Sequence, residues 1–117
     1  MSVFDTNAFE ELHNLLTIDL KLFSDISIGY VQFGDEFLYL KENYTEQDMY
    51  NFIQKLKNIN YNTSSASEPI KSEGYLIFKD GTWYQRFCEQ DGNQWWELMD
   101  LLEVRDLIDE VIKDRKL

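Results

Sequence analysis

The first apolar stripe of the chain has helical spacing. Asn7 and Glu10 stand three residues apart, as in a capping box, and Asp5, Thr6 and Asn7 are all residues that cap helices well. An apolar residue then recurs every three or four positions, at Phe9, Leu12, Leu16, Leu20 and Phe23. This pattern predicts an amphipathic helix over residues 7–23, with all five side chains on one face.

The pattern changes to that of strands after residue 25. Residues 26–33 and 36–40 are rich in β-branched and aromatic side chains, and Gly34-Asp35 separates the two runs. Together they predict a β-hairpin. A capping box at Thr45 and Asp48 then opens a second helical stripe, which predicts a helix over residues 46–58.

The second half repeats these signals in a different order. Residues 60–73 are polar and contain the only proline, which predicts a surface loop. Residues 75–78 and 82–88 flank Asp80-Gly81, a strong hairpin signal. Residues 94–96 follow a turn at 91–93 and fit either a further strand or the entry to the last helix. A final stripe predicts a helix over residues 98–115, and its apolar positions are Leu101, Val104, Ile108 and Val111, widened by Leu102, Leu107 and Ile112.

These elements predict a single-domain α+β fold in the order αββα-loop-ββ(β)α. Hairpins with short turns imply an antiparallel sheet of four to five strands, with three helices packed against it on one face. The last helix has two interpretations: its stripe packs on the sheet, or its widened face also serves a second copy of the chain.

Length and charge narrow the classes of function. The 117 residues suit one acidic domain, since neither half is large enough to bury a core alone. Twenty-two acids oppose eleven bases, for a net charge of −11, and residues 1–48 hold ten of the acids and two of the bases. Direct nucleic-acid binding is disfavoured, because affinity for phosphate requires clustered Lys and Arg.

The sequence also bears on the cellular compartment of the protein and on its capacity for catalysis or metal binding. No run approaches the roughly 20 apolar residues of a membrane helix, and the first residues lack the layout of a signal peptide. We therefore expect a cytoplasmic protein that binds no membrane. His13 and Cys88 are the only residues of their types, and neither a zinc cluster, an EF-hand loop nor a phosphate-binding glycine motif is present. We expect no enzyme activity, no metal and no cofactor.

Aromatic side chains are concentrated in residues 83–96. On a strand over 82–88, odd-numbered and even-numbered side chains point to opposite faces. If one face packs on the helices, the other exposes Tyr84 beside Arg86, a pair typical of interface hot spots. In the plainer interpretation, all these rings belong to the core.

The segment 75–97, YLIFKDGTWYQRFCEQDGNQWWE, resembles a hairpin of small, mostly uncharacterised bacteriophage proteins in which DGTW, an arginine, DG and WW follow in that order. It covers about a fifth of the chain. Cys88 and Gln90 depart from the usual EYDG that leads into the second turn. The resemblance implies a viral or prophage origin and attaches no catalytic residue.

The leading functional hypothesis is a phage-type protein that binds and blocks a host protein. An acidic surface suits a defence or nucleic-acid-handling protein with a basic surface. The residues expected to carry the interaction are Asp5, Glu10, Glu11, Asp19, Asp35, Glu36, Tyr84 and Arg86. Alternatives are an immunity protein that neutralises a toxin, a homodimeric structural subunit, and an enzyme or small-ligand carrier, which would need a pocket lined by convergent carboxylates.

Overall fold

The computed structural model describes residues 6–61, 71–89, 93–99 and 104–115, and within these ranges three α-helices and seven β-strands are joined by turns and loops. The elements in chain order are β1 (Thr6–Asn7), α1 (Ala8–Ile18), a 3-10 turn (Phe23–Asp25), β2 (Ile26–Phe33), β3 (Glu36–Leu40), α2 (Glu46–Lys57), β4 (Asn60–Tyr61), β5 (Ser72–Phe78), β6 (Trp83–Cys88), β7 (Gln94–Met99) and α3 (Val104–Arg115). The predicted fold class is confirmed.

The main sheet has five strands in the order β3-β2-β5-β6-β7, and every neighbouring pair is antiparallel. Both predicted hairpins are present. Gly34 and Gly81 adopt positive φ angles of 58° and 92° in the turns β2–β3 and β5–β6, a conformation that glycine adopts without steric cost. Residues 94–99 form the fifth strand, so the predicted helix over 98–115 begins too early, and α3 starts at Val104.

The helices lie on both faces of the sheet, so the prediction that they cover one face is wrong. Leu12 and Leu16 of α1 and Phe52 and Leu56 of α2 pack with one set of strand side chains. Ile108 of α3 is buried in a second cluster on the opposite face, with Ile28, Tyr30, Ile77 and Trp83. Alternation along the strands explains this arrangement: β5 and β6 carry apolar residues at both odd and even positions, so each face needs a cover.

Sequence spacing placed the starts of α1 and α2 well. Asn7 caps α1 by accepting from the amides of Phe9 and Glu10, and Thr45 and Asp48 form the predicted capping box of α2. The predicted loop 60–73 was too long at both ends, since residues 60–61 pair with residues 6–7 and β5 already begins at Ser72. Residues 62–70 of that loop lie outside the described residues.

Two mid-strand glycines allow β2 and β5 to approach closely. A Cβ atom on Gly74 would stand 2.7 Å from the Tyr30 carbonyl oxygen and 3.2 Å from the Trp96 ring. A Cβ on Gly29 would stand 2.6 Å from the Leu76 side chain. These glycines therefore serve packing rather than turn formation.

Candidate partner-binding surfaces

Strand β6 directs the side chain of Arg86 into the core beneath α1. Its guanidinium donates four hydrogen bonds: Nε to Ser72 Oγ (2.7 Å), Nη1 to Glu11 Oε1 (2.8 Å), and Nη2 to Tyr61 Oη (2.8 Å) and to Gln94 Oε1 (3.1 Å). We call these five residues the Arg86 cluster. The arginine side chain is fully buried, whereas the Glu11 side chain keeps 22% of its surface exposed.

Three aromatic rings also pack against the guanidinium of Arg86. The guanidinium carbon lies 4.6 Å from the Phe33 ring centre and 5.2 Å from the centres of Tyr61 and Trp96, within the range of cation–π attraction. The Tyr61 hydroxyl donates to Glu11. Burial raises the pKa of the Tyr61 phenol, and the Glu11 carboxylate adds to this while Arg86 opposes it. The cluster therefore holds its charges in a fixed, largely dry arrangement.

The structure contradicts the expected exposure of Tyr84 and Arg86. Tyr84 is fully buried and Arg86 is 4% exposed, because the even-numbered face of β6 packs beneath α1. The Tyr84 hydroxyl donates to Asp19, and burial followed by this hydrogen bond raises the pKa of the phenol. Both side chains hold the fold together and are not available to a partner on the surface.

Of the acids expected to bind a partner, three are exposed. Glu10 lies in the first turn of α1, and Asp35 and Glu36 form and follow the β2–β3 turn. Phe33, which pairs with Glu36, stacks on Arg86, and Arg86 in turn binds Glu11, so the helix start and the hairpin turn both border the Arg86 cluster. We call Glu10, Asp35 and Glu36 the acidic end.

The remaining predicted acids have other roles or positions. Glu11 is committed to Arg86 and Tyr61, and Asp19 accepts from Tyr84 at the far end of α1. Asp5 lies outside the described residues. The prediction of one acidic surface containing all six residues therefore reduces to the acidic end.

Sequence reasoning missed a second exposed surface, at the end of α1. The predicted helix over 7–23 is wrong at this end because Leu20 leaves it with a left-handed φ of 57°. The Lys21 amide donates to the Leu16 carbonyl (2.8 Å) and the Leu20 amide to the Thr17 carbonyl (3.2 Å), which is a Schellman motif. Leucine stands where this motif usually has glycine, at a cost of about 1 kcal/mol.

The residues around this motif are exposed and apolar. Ile18 is 75% exposed, Leu20 93% and Leu22 66%, which are the largest values among the large apolar side chains that the structure describes. We call residues 18–22 the leucine turn. The helical spacing of Leu16, Leu20 and Phe23 had placed Leu20 in the core. No local signal marked the end of α1, because residues 19–22 contain no glycine or asparagine, the residues at which helices usually end.

The residues that carry the phage-like resemblance have structural roles here. Asp80 accepts from the amide and the hydroxyl of Thr82, and these bonds, followed by the Lys21 ammonium, lower the pKa of Asp80 to about 2. Trp83 is buried against α3, and Arg86 and Trp96 meet in the Arg86 cluster. Asp80, Trp83, Arg86 and Trp96 of this pattern thus have roles in the fold of this chain, and Asp91-Gly92 lies outside the described residues.

Other chemistry has little support in the part of the chain that the structure describes. No group of three or more His, Cys, Asp or Glu side chains there could hold a metal ion. No helix in those ranges has the length and apolar content needed to cross a bilayer. His13 stacks on Phe9, with ring centres 5.4 Å apart, and Cys88 is a free, half-buried thiol. The lining of a cleft between β3 and α2 includes two cations, Lys41 and Lys55, and one acid, Asp48.

Comparisons with known proteins give no assignment: no family model, no curated protein and no solved structure matches this chain.

Proposed function

We propose that this protein acts by binding another protein rather than by catalysing a reaction. In the specific form of the proposal, it is a phage-encoded anti-defence protein that blocks a host defence or nucleic-acid-handling protein in the host cytoplasm. The observation that carries the proposal is the acidic end, where Glu10, Asp35 and Glu36 are exposed beside a rigid core in a chain of net charge −11.

The acidic end suits competition for a basic surface. A concentrated negative field raises the rate of encounter with a positive surface and disfavours nucleic acid and anionic membranes. The Arg86 cluster ties α1 to β4, β5, β6 and β7, and its ring contact reaches Phe33 at the end of β2. Because the exposed carboxylates stand on elements held in this way, little ordering entropy is lost on binding.

The proposed phage origin of the protein rests on the resemblance of residues 75–97 to a hairpin of phage proteins. A host enzyme or defence protein that handles nucleic acid presents a groove of Lys and Arg side chains to its substrate. An acidic protein that occupies this groove blocks it without any chemical step.

The test is affinity capture from a bacterial host lysate at low and high salt, followed by purification of the captured protein and measurement of its affinity. Reversal of the acidic end, with Glu10, Asp35 and Glu36 changed to Lys, is expected to weaken binding at least tenfold at low salt. The matched control reverses three exposed acids away from the β2–β3 turn, Glu42, Glu110 and Asp114, and changes the net charge equally.

Several outcomes would contradict the proposal. Equal weakening by the control variant would show that net charge alone matters and that the acidic end is not the site. Specific capture of a toxin would favour an immunity protein instead. Failure to capture any protein, together with a stable self-assembled species in solution, would favour a structural subunit.

A further inference from the structure

The leucine turn breaks two local rules of helix termination at once. Leu20 occupies the left-handed position of a Schellman motif, where a side chain with a Cβ is strained and glycine is not. The helix cap is Asp19, and α1 has no basic residue in its last turn, although the end of a helix dipole favours cations. The hydrogen bond from Tyr84 accounts for Asp19, whereas Leu20 opposes the fold, and local choices that oppose the fold tend to mark functional sites.

The apolar surface of this turn is large for its length. A fully exposed leucine or isoleucine presents roughly 180 Å², so the exposed fractions of Ile18, Leu20 and Leu22 amount to about 400 Å² within five residues. Patches of this size on monomers are often functional. The backbone bonds of the Schellman motif hold Leu20 outward as a protruding side chain rather than part of a flat surface.

The surroundings of Leu20 are negative. Asp19 adjoins it, the carbonyl end of α1 adds the negative pole of the helix dipole, and Asp25 lies just beyond Leu22. Of the nearby cations, Lys21 is only 12% exposed, because its ammonium binds Asp80 at 3.0 Å and lies 4.5 Å from the Phe78 ring centre. Lys79 is exposed, and its amide donates to the Asp25 carbonyl at 2.8 Å, so one exposed cation stands against the carboxylates of Asp19, Asp25 and Asp80. A partner therefore meets an apolar tip framed by negative charge.

We propose that the leucine turn is the anchor by which this protein docks into an apolar pocket, bordered by Lys or Arg side chains, on a partner protein. Leu20 fills the pocket, and Ile18 and Leu22 cover its margins. This inference rests on the proposed function, since it assumes a protein partner, and it assigns the apolar part of the contact to a different end of α1 from the acidic end.

A second copy of the chain does not fit this surface. Two leucine turns in contact would bury about 800 Å² in total, below the roughly 1,200–2,000 Å² of stable interfaces. Such a contact would also bring Asp19 and the negative helix end of each copy together, which is repulsive. Electrostatics and area thus both favour a different, cationic partner.

The experiment compares Leu20→Gly and Leu20→Ala with the wild-type chain, using the partner purified after capture by the wild type. Leu20→Gly removes both the side chain and the backbone strain, whereas Leu20→Ala removes the side chain and keeps the strain. We expect both variants to bind at least tenfold more weakly. We expect only Leu20→Gly to raise the urea midpoint of unfolding, a measurement that needs no partner. Leu98→Ala, at a half-exposed leucine of β7, is the matched control and should leave affinity unchanged.

Each other result overturns a defined part of the reasoning. A partner bound equally well by wild type and both Leu20 variants would refute the anchor while leaving the proposed function standing. A concentration-dependent dimer that Leu20→Gly abolishes would assign the turn to self-association. An unchanged or lower urea midpoint for Leu20→Gly would show that the turn is not strained. If neither the wild type nor any variant captures a protein, the proposed function fails and the anchor fails with it.

Discussion

Replacement of Arg86 tests the claim that one buried cation organises the acidic end. Arg86→Met keeps much of the apolar stem but removes all four hydrogen bonds of the guanidinium. It leaves the Glu11 carboxylate and the Tyr61 hydroxyl without their cation. Arg86→Lys keeps a positive charge but cannot reproduce the planar fork.

The expected loss follows from burial and geometry. Removing one partner of a buried ion pair costs about 3–5 kcal/mol. The partial exposure of Glu11 places this pair at the lower end, and lost contacts with the Phe33 and Trp96 rings add about 1 kcal/mol. We therefore expect about 4 kcal/mol for Arg86→Met and about 2 kcal/mol for Arg86→Lys, out of a total stability of roughly 5–15 kcal/mol.

Urea unfolding followed by tryptophan fluorescence and by far-ultraviolet circular dichroism measures these losses. With a slope of about 1.5 kcal/mol per molar urea, the midpoint of Arg86→Met should fall by roughly 2.5 M. Glu11→Ala should cost about 3 kcal/mol, because it leaves the buried Arg86 charge with neutral partners only, whereas Glu10→Ala at the neighbouring exposed position should change stability by less than about 0.5 kcal/mol. A stability of Arg86→Met within about 1 kcal/mol of the wild type would refute the reasoning.

Three further predictions concern packing and pH. Gly74→Ala should destabilise by about 2 kcal/mol in urea unfolding, because its Cβ would meet a backbone oxygen at 2.7 Å, whereas Glu73→Ala at the neighbouring exposed position should have little effect. Because the pKa values of Tyr61 and Tyr84 are raised, their protonated phenols stabilise the fold. This stabilisation is fully present below about pH 10 and is lost as the pH rises further. Tyrosinate absorbance at alkaline pH should therefore show these two phenols ionising only as the protein unfolds, and their ionisation in the native state would contradict this. The lowered pKa of Asp80, about 2, gives stability above about pH 4 that is lost as pH falls toward 2, so Asp80→Asn should flatten the acid limb of the stability curve, and carboxyl NMR should place the titration near pH 2.

Local signals were sufficient to predict most of the elements. Asn7 and Thr45 fixed two helix starts because a side-chain cap is readable within three residues. Gly34 and Gly81 likewise marked turns whose backbone angles favour glycine. The antiparallel pairings of β2 with β3 and of β5 with β6 follow from these hairpins, whereas the central pairing of β2 with β5 and the fifth strand were not fixed by any local signal.

The wrong predictions concern residues whose burial depends on contacts between distant parts of the chain. The even-numbered face of β6 carries Tyr84 and Arg86, and no local pattern states that α1 covers that face while α3 covers the other. Arg86 is buried because Glu11, Tyr61 and Gln94, at separations of 75, 25 and 8 residues, converge on it. An arginine read alone is expected at the surface. The prediction for Leu20 was wrong in the opposite sense, since Leu20 was expected to be buried and is exposed. The helical spacing of apolar residues continues past Ile18, where α1 ends.

Association kinetics with the purified partner test the central claim most directly, since the account assigns encounter to the acidic end and retention to the leucine turn. The wild-type association rate constant should fall steeply with ionic strength, and the charge-reversed acidic end should abolish that dependence. Leu20→Gly should keep the salt-dependent association rate and dissociate at least tenfold faster, since affinity changes within one interface lie mostly in dissociation. A salt-independent association rate, with equal dissociation rates for wild type and Leu20→Gly, would contradict the account.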